Sequence, residues 1–250
     1  ACAGAEPLGL TNCLNFGNPE KPHVAWQLER AVTGLADACR ELGIPVVGGN
    51  VSLYNEAPDG PIYPTPVVGI VGELPDATRA GRLGFARSGD AIALVGRPFA
   101  PSLNGSELSK LRGEPLATAL GEWEPAAVRQ AIAAVREAVR AGAVSSAHDV
   151  AEGGFAVALA ECCLAGGLGA RIDTGPSEDP LCHLFGEGPG GFVLSGERGA
   201  LEALADSGLE VFVCGEVGGD ALDLRMGEVQ IIATLDALRA AHGALAAAFS

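Results

Sequence analysis

The chain has 250 residues, 48% of them hydrophobic and 36 of them glycine, enough to enclose a core in one large domain or two modest ones. Its formal charge of -15, with Lys21 and Lys110 the only lysines among 16 basic residues, argues against an extended nucleic-acid groove, which needs a basic surface to neutralise phosphate. No apolar run approaches the roughly 20 residues that cross a bilayer and no basic-then-apolar leader opens the chain, so neither nucleic acid nor membrane is expected as a partner.

The first residue is Ala1 and the single methionine is Met226, so the sequence reads as a processed or partial chain. Cys2, Cys13, Cys39, Cys162, Cys163, Cys182 and Cys214 are odd in number, form no CxxC pair and stand mostly in apolar contexts. That pattern suits buried free thiols in a reducing cytosol. A cytoplasmic location is expected and a zinc site is not.

In chain order, residues 23–42 repeat apolar positions at helical spacing, with Gly43 as the stop, and 44–47 read as a buried strand. A Pro- and Asn-rich loop at 55–66 leads to a strand at 67–71. The aperiodic stretch 72–90, with Arg79, Gly81, Arg82, Gly84, Arg87 and Gly89, is the best domain boundary. Beyond it come a strand at 91–96, a helix at 125–141 opened by Pro125 and closed by Gly142, a strand at 143–147, and a helix at 150–165 closed by Gly166 and Gly167. Strands at 169–173, 192–195, 211–214 and 229–233 and a helix from Leu235 follow. The class is mixed α/β.

Three polar clusters punctuate this pattern. In GIPVVGGNVSLYNE, Gly48-Gly49 at the strand end lets the backbone approach a ligand, with Asn50 and Ser52 offering amide and hydroxyl groups to a metal, a phosphate or a polar substrate; a plain Gly-Gly turn explains the same letters. LTNCLNFGNPEKP gathers Thr11, Asn12, Asn15, Asn18 and Glu20 just before a helix, where side chains and helix amides could converge on an anion, or simply form an Asn-rich loop. In SSAHDVAEGGF, His148, Asp149 and Glu152 resemble metal ligands, while Asp149 and Glu152 also match a capping box at the mouth of the next helix, which the spacing favours. GEGPGG at 186–191 has the letters of a phosphate loop but precedes a strand, and Pro189 lacks an amide.

Taken together, LTNCLNFGNPEKP, WQLERAVTGLADACRELGIPVVGGNVSLYNE, PTPVVGIVGELPD, SLNGSEL and SSAHDVAEGGFAVALAE resemble the C-terminal half of the synthetase subunit of formylglycinamidine ribonucleotide synthetase. This is the phosphoribosylformylglycinamidine synthase family, ATP-dependent amidotransferases of purine biosynthesis. The resemblance is continuous over about 1–165 and looser beyond. It implies that residues 1–78 are the end of an aminoimidazole-ribonucleotide-synthetase N-terminal-like domain, and that 79–250 are a C-terminal-like α/β domain. By position, Asn12 and Gly49 match ATP contacts, Asn50 a magnesium ligand, and Ser52 a contact to formylglycinamide ribonucleotide. Asp149 matches an acidic position that helps hold metal at an auxiliary nucleotide site in larger relatives.

Two departures stand out. The family usually has aspartate where this chain has Asn12, and it usually follows the Glu187 element with Ser-Gln-Ser-Arg where this chain has Gly188-Pro189-Gly190-Gly191. The implied cofactors are ATP and Mg2+. The implied partners are the N-terminal half of the same synthetase, a glutaminase subunit and a small bridging subunit. The family's catalytic histidine lies in that N-terminal half, so no catalytic residue is expected here. Two other readings remain: a non-catalytic structural half with a bound auxiliary nucleotide, and another superfamily member such as aminoimidazole ribonucleotide synthetase.

Overall fold

The computed structural model describes residues 1–96, 101–115, 117, 119–121 and 123–247. Backbone contacts divide them into two units, Ala5–Pro75 and Ala1–Gly4 with Asp76–Ser250.

The smaller unit comprises β1 (Glu6–Asn15), α1 (Pro22–Leu42), β2 (Val46–Ser52), the short hairpin β3 (Glu56–Ala57) and β4 (Gly60–Pro61), and β5 (Thr65–Glu73). Its three-stranded sheet runs in the order β2-β1-β5, β1 being parallel to β2 and antiparallel to β5. The helix is set by Pro22 in its first turn and by Gly43, whose φ of 69° closes the C-terminus through its N–H. The α1 crossover joins β1 to its parallel neighbour, as parallel strands require. Three expectations fail here. The strand expected as buried at 44–47 has Val46 and Val47 more than half exposed. Leu10 to Asn15 is strand rather than loop, and Gly48-Gly49 lies inside β2 rather than in a bend beyond it. Val46, Val47, Val51, Val67, Ile70 and Val71, on the two outer strands, are all more than half exposed.

The larger unit comprises β6 (Ala91–Gly96), α2 (Glu107–Leu111), α3 (Pro125–Ala141), β7 (Ser146–Asp149), α4 (Gly154–Gly166), β8 (Ala170–Asp173), α5 (Pro180–Phe185), β9 (Gly191–Gly196), α6 (Arg198–Glu202), β10 (Glu210–Val217), β11 (Ala221–Met226), β12 (Val229–Thr234) and α7 (Leu235–Ala247). Its seven strands are ordered β12-β11-β8-β10-β6-β9-β7, antiparallel except for β11 with β8. Strand alternation divides the core. Ile92 and Val193 join Phe155, Leu159, Cys162, Ile172, Leu224 and Met226 on one face, where α4 packs. Ala93, Val95, Phe192 and Leu194 join Ala131, Val135 and Leu201 on the other, under α3 and α6. Both faces being covered, β6 reads as an unbroken apolar run, as does Phe192–Leu194 of β9. Gly142 and Gly167 cap α3 and α4 in the left-handed conformation, as expected, whereas β11 and the short helices α2, α5 and α6 are additions to the sequence reading.

Among the described residues, no helix is long and apolar enough to cross a membrane. All seven cysteines are free thiols, with Cys162, Cys163 and Cys214 buried. Burial pushes the Cys163 and Cys214 thiols up to about 12.

Candidate functional site

The register of β1 on β2 puts Asn12 opposite Gly49, Cys13 opposite Asn50 and Asn15 opposite Ser52. Gly49 is required at its position. A β-carbon there would lie 2.5 Å from the Asn12 carbonyl oxygen and 2.7 Å from its Oδ1, and the backbone φ is +156°. A glycine inside a strand commonly marks such a close approach, and here the approaching groups are the backbone carbonyl and the side-chain amide of Asn12. The amide of Asn12 thus lies over the Gly49 backbone, while Gly48 has open space around it.

Alternation along the strands sends Asn50 and Ser52 to the face shared with Cys13 and Asn15, opposite the face on which Asn12 meets Gly49. The two sets are nevertheless close through the edge. With sheet order β2-β1-β5, β2 has no strand on its outer side among the described residues, so a ligand wrapping that edge can reach both faces and the unpaired backbone groups between them.

Ser52 is tied down. Its Oγ donates to Asn55 Oδ1 at 3.3 Å, and Asn55 Nδ2 donates to the carbonyls of Phe16 and Ser52, each at 3.0 Å. The Phe16 N–H in turn donates to Ser52 O, and the Tyr54 N–H to Gly17 O. Tyr54 takes φ 60°, a left-handed conformation unusual outside glycine. This knot fixes the end of β2 against the end of β1. Glu56 extends it, accepting from the Asn18 N–H at 3.1 Å and from Lys21 Nζ at 2.8 Å. The hydrogen bond from Lys21 is the chief reason its carboxyl lies below the usual value. Asn55 and Glu56 were visible in the sequence only as letters of a loop, because both act through nonlocal backbone partners. The side chain of Asn50 is exposed with no hydrogen-bond partner among the described residues.

Asp149 belongs to the larger unit and forms a separate cluster. It ends β7, with its side chain 60% exposed. The expected capping role fails, because α4 begins at Gly154 behind a left-handed Gly153 and takes no side-chain cap. Instead the carboxylate of Glu187, from the GEGPGG loop, accepts from the Gly153 N–H at 2.9 Å and from the Glu107 N–H at 2.8 Å. Ser102 and Glu187 also exchange backbone hydrogen bonds. The loop is therefore a brace between the starts of α2 and α4, which no local motif announced.

Freed from capping, Asp149 lies 3.4 Å from Nδ1 of the buried His148, an ion-pair separation, and that nitrogen has no hydrogen-bond partner of good geometry among the described residues. Glu161 Oε2 lies 2.9 Å from His148 Nε2. Asp149 first, then Glu161, hold the imidazole above its ordinary value against the opposing effect of burial. His148 in turn holds Asp149 below the usual carboxylate range.

Among the described residues, no group of three or more His, Cys, Asp or Glu side chains could hold a metal ion. The donor chemistry fits magnesium only in a limited sense. Asn50 and Asp149 can each offer oxygen to an ion whose remaining ligands are phosphate and water, the usual habit of Mg2+. Neither is part of an all-protein cage.

Comparison with known proteins bears on the family and the fold. Residues 1–74 match the N-terminal domain of AIR synthase related proteins, and residues 87–226 the C-terminal domain. The chain is 47% identical over 235 residues to phosphoribosylformylglycinamidine synthase subunit PurL of Moorella thermoacetica, covering 90% of this chain and 31% of that protein. It is 42% identical to the same subunit of Frankia casuarinae, covering 100% and 33%. It thus spans about a third of the length of these curated relatives. Among solved structures, PurL of Thermotoga maritima complexed with FGAR superposes with a TM-score of 0.72 at 20% identity, over 95% of this chain and 40% of that one. The hydrogenase maturation protein HypE gives 0.63 at 20% identity, over 94% and 77%. These last two likenesses bear on fold.

Proposed function

Because the chain belongs to the AIR synthase related protein family, we propose that it acts as the C-terminal half of a formylglycinamidine ribonucleotide synthetase, in the cytoplasm. The observation that carries this reading is the strand pairing that seats Asn12 on Gly49 and places Asn50 and Ser52 along the same edge strand, in a chain 42–47% identical to PurL subunits. In this reading Asn12 and the Gly49 backbone contact ATP, Asn50 gives its carbonyl oxygen to the magnesium that accompanies the triphosphate, and Ser52, held by Asn55, contacts formylglycinamide ribonucleotide. Asp149 serves metal at an auxiliary nucleotide.

The chemistry explains why ATP is needed. An amide carbon is a poor electrophile. Transfer of the γ-phosphoryl group to the amide oxygen makes a leaving group, which ammonia from glutamine then displaces as phosphate, leaving the amidine. For such a reaction the protein chiefly positions its substrates, and magnesium neutralises phosphate charge that this acidic chain cannot. The role of this chain's residues in this reading is orientation, by a strand edge fixed by the Ser52–Asn55 knot. The exposed valines and isoleucine of β2 and β5 support a site completed by the N-terminal half of the synthetase, with a glutaminase and a small bridging subunit supplying ammonia.

The direct test adds the isolated N-terminal half and assays ATP hydrolysis that depends on both formylglycinamide ribonucleotide and ammonia. Activity only in the mixture, and its loss in Asn50→Ala, is the expected result; strong activity of this chain alone overturns the reading. Titration with magnesium-ATP separates it from a purely structural half, which has no exchangeable site. Aminoimidazole ribonucleotide synthetase activity is checked by substituting formylglycinamidine ribonucleotide as substrate.

A further inference from the structure

Independently of that reading, the larger unit of this acidic chain contains a cavity whose lining carries arginines and no carboxylate. It has a volume of about 360 Å³, and Thr78, Arg79, Gly81, Arg82, Val144 and Ser145 are among its lining residues. Four other cavities each include a carboxylate: Glu187 in one, Glu210 in another, Glu137 in a third, and Asp149 with Glu152 and Glu187 in a fourth. The Arg79 and Arg82 cavity includes none among its lining residues. In a chain carrying 31 acidic against 16 basic side chains, such a segregation of charge makes this cavity a local sink for anions.

The hydrogen bonds around it leave donors free. Arg82 is exposed and has no ion-pair or hydrogen-bond partner for its guanidinium among the described residues. Arg79 Nη1 donates to the carbonyl of Arg140 at 2.9 Å, and its Nε lies 3.8 Å from Asp76, a loose pairing. Asp76 Oδ1 accepts from the N–H and hydroxyl of Thr78, at 2.9 and 2.6 Å, and only its Oδ2 faces Arg79. Arg87 Nη2 donates to Ser145 Oγ, which leaves the serine hydroxyl hydrogen free to donate elsewhere.

The end of α3, whose carbonyls would repel an anion, also borders the cavity, but three of its last four carbonyls accept hydrogen bonds. Gly142 N–H donates to Val139 O at 3.0 Å and Ala143 N–H to Ala138 O at 2.9 Å, while Arg79 covers Arg140.

We propose that this cavity binds a phosphate group, through the forked donors of Arg82 and Arg79 and the hydroxyl of Ser145. Guanidinium suits such a ligand because its paired N–H groups match two phosphate oxygens. The volume exceeds that of free phosphate, so a phosphate monoester with a small polar body also fits.

The test is calorimetric titration of the 250-residue chain at low ionic strength with inorganic phosphate and, separately, with ribose 5-phosphate. Loss of one binding event in Arg82→Ala, or weakening by about tenfold or more as expected for removal of a charged forked contact, supports the site. Arg82→Lys should retain part of the affinity. Arg112→Ala, which removes a guanidinium paired with Glu114, should change nothing. Tighter binding of ribose 5-phosphate than of phosphate identifies a monoester as the ligand, and equal binding identifies free phosphate. Absence of binding at about ten millimolar, or identical isotherms for wild type and Arg82→Ala, overturns the proposal. Thermal unfolding of Arg82→Ala, an exposed and unpaired position, verifies that the variant is folded.

Discussion

The neighbouring glycines of β2 offer a paired experiment. Gly49→Ala places a methyl group 2.5 Å from the Asn12 carbonyl oxygen and 2.7 Å from its Oδ1, where ordinary contact begins near 3.4 Å. The backbone of β1 must therefore recede by roughly 0.9 Å, or the β1–β2 ladder must break locally. The disfavoured φ of +156° adds about 1–3 kcal/mol of strain for a residue with a side chain. Overpacking adds about 1–3 kcal/mol more, so a loss of roughly 2–6 kcal/mol is expected.

Gly48→Ala meets nothing within 4 Å, and by restricting the unfolded chain it should be neutral or stabilising by up to about 1 kcal/mol. Each unit has one tryptophan, Trp26 in α1 of the smaller and Trp123 in the larger. Urea unfolding followed by Trp26 emission in a Trp123→Phe background thus isolates the affected unit, and hydrogen exchange of Glu6–Asn15 and Val46–Ser52 localises the effect. If Gly49→Ala falls within about 0.5 kcal/mol of Gly48→Ala, the seating of Asn12 on Gly49 is wrong, and with it the geometric basis of the candidate site.

Three other outcomes are expected. Glu187→Ala strands the Gly153 and Glu107 amides and should lower the stability of the larger unit by about 1–3 kcal/mol after discounting for partial exposure, whereas Glu187→Gln, which keeps an acceptor oxygen, should lose less than half of that in thermal melts. Phe155→Ala empties a position that is 0% exposed and should remove about 3–5 kcal/mol, read by denaturant titration.

The third concerns pH. Asp149 is held below its ordinary 3.8, so its contribution is present above that value and lost as pH falls through the lowered one. His148 is held above 6.5, so its contribution is complete below 6.5 and lost as pH rises through the raised value. Stability from this pair should therefore be greatest between about pH 4 and 6.5, and Asp149→Asn with Glu161→Gln should flatten the alkaline limb in melts taken across pH.

Much of this structure was readable in advance because it is local. Pro22, Gly43, Pro125, Gly142 and Gly167 punctuate helices through their own backbone preferences, and the apolar periodicity of α3 needs no distant partner. The failures are nonlocal. Leu10 to Asn15 is rich in residues that favour turns, and it becomes strand only because β2 and β5 pair with it from either side. Gly48-Gly49 looks like a bend until Asn12, more than thirty residues earlier, is seen to need the space. Asp149 and Glu152 have capping spacing, yet Gly153 turns the chain first and Glu187 supplies the acceptor instead. β11 is legible in the sequence, for Leu222, Leu224 and Met226 alternate as a half-buried strand should. Within the candidate site the residue types were visible, but their division between the two faces of an edge strand depends on register, which only the paired strands define.

The burial of Met226 gives the molecule a built-in probe. It is the chain's sole methionine, and at 1% exposure it ends β11 inside the layer packed under α4. Labelling with carbon-13 at the methionine methyl would yield a single resonance with no assignment problem, sensitive to ring currents and to any loosening of that layer. Ligand titrations, temperature ramps and core variants could all be followed through that one signal, which global melting curves average away.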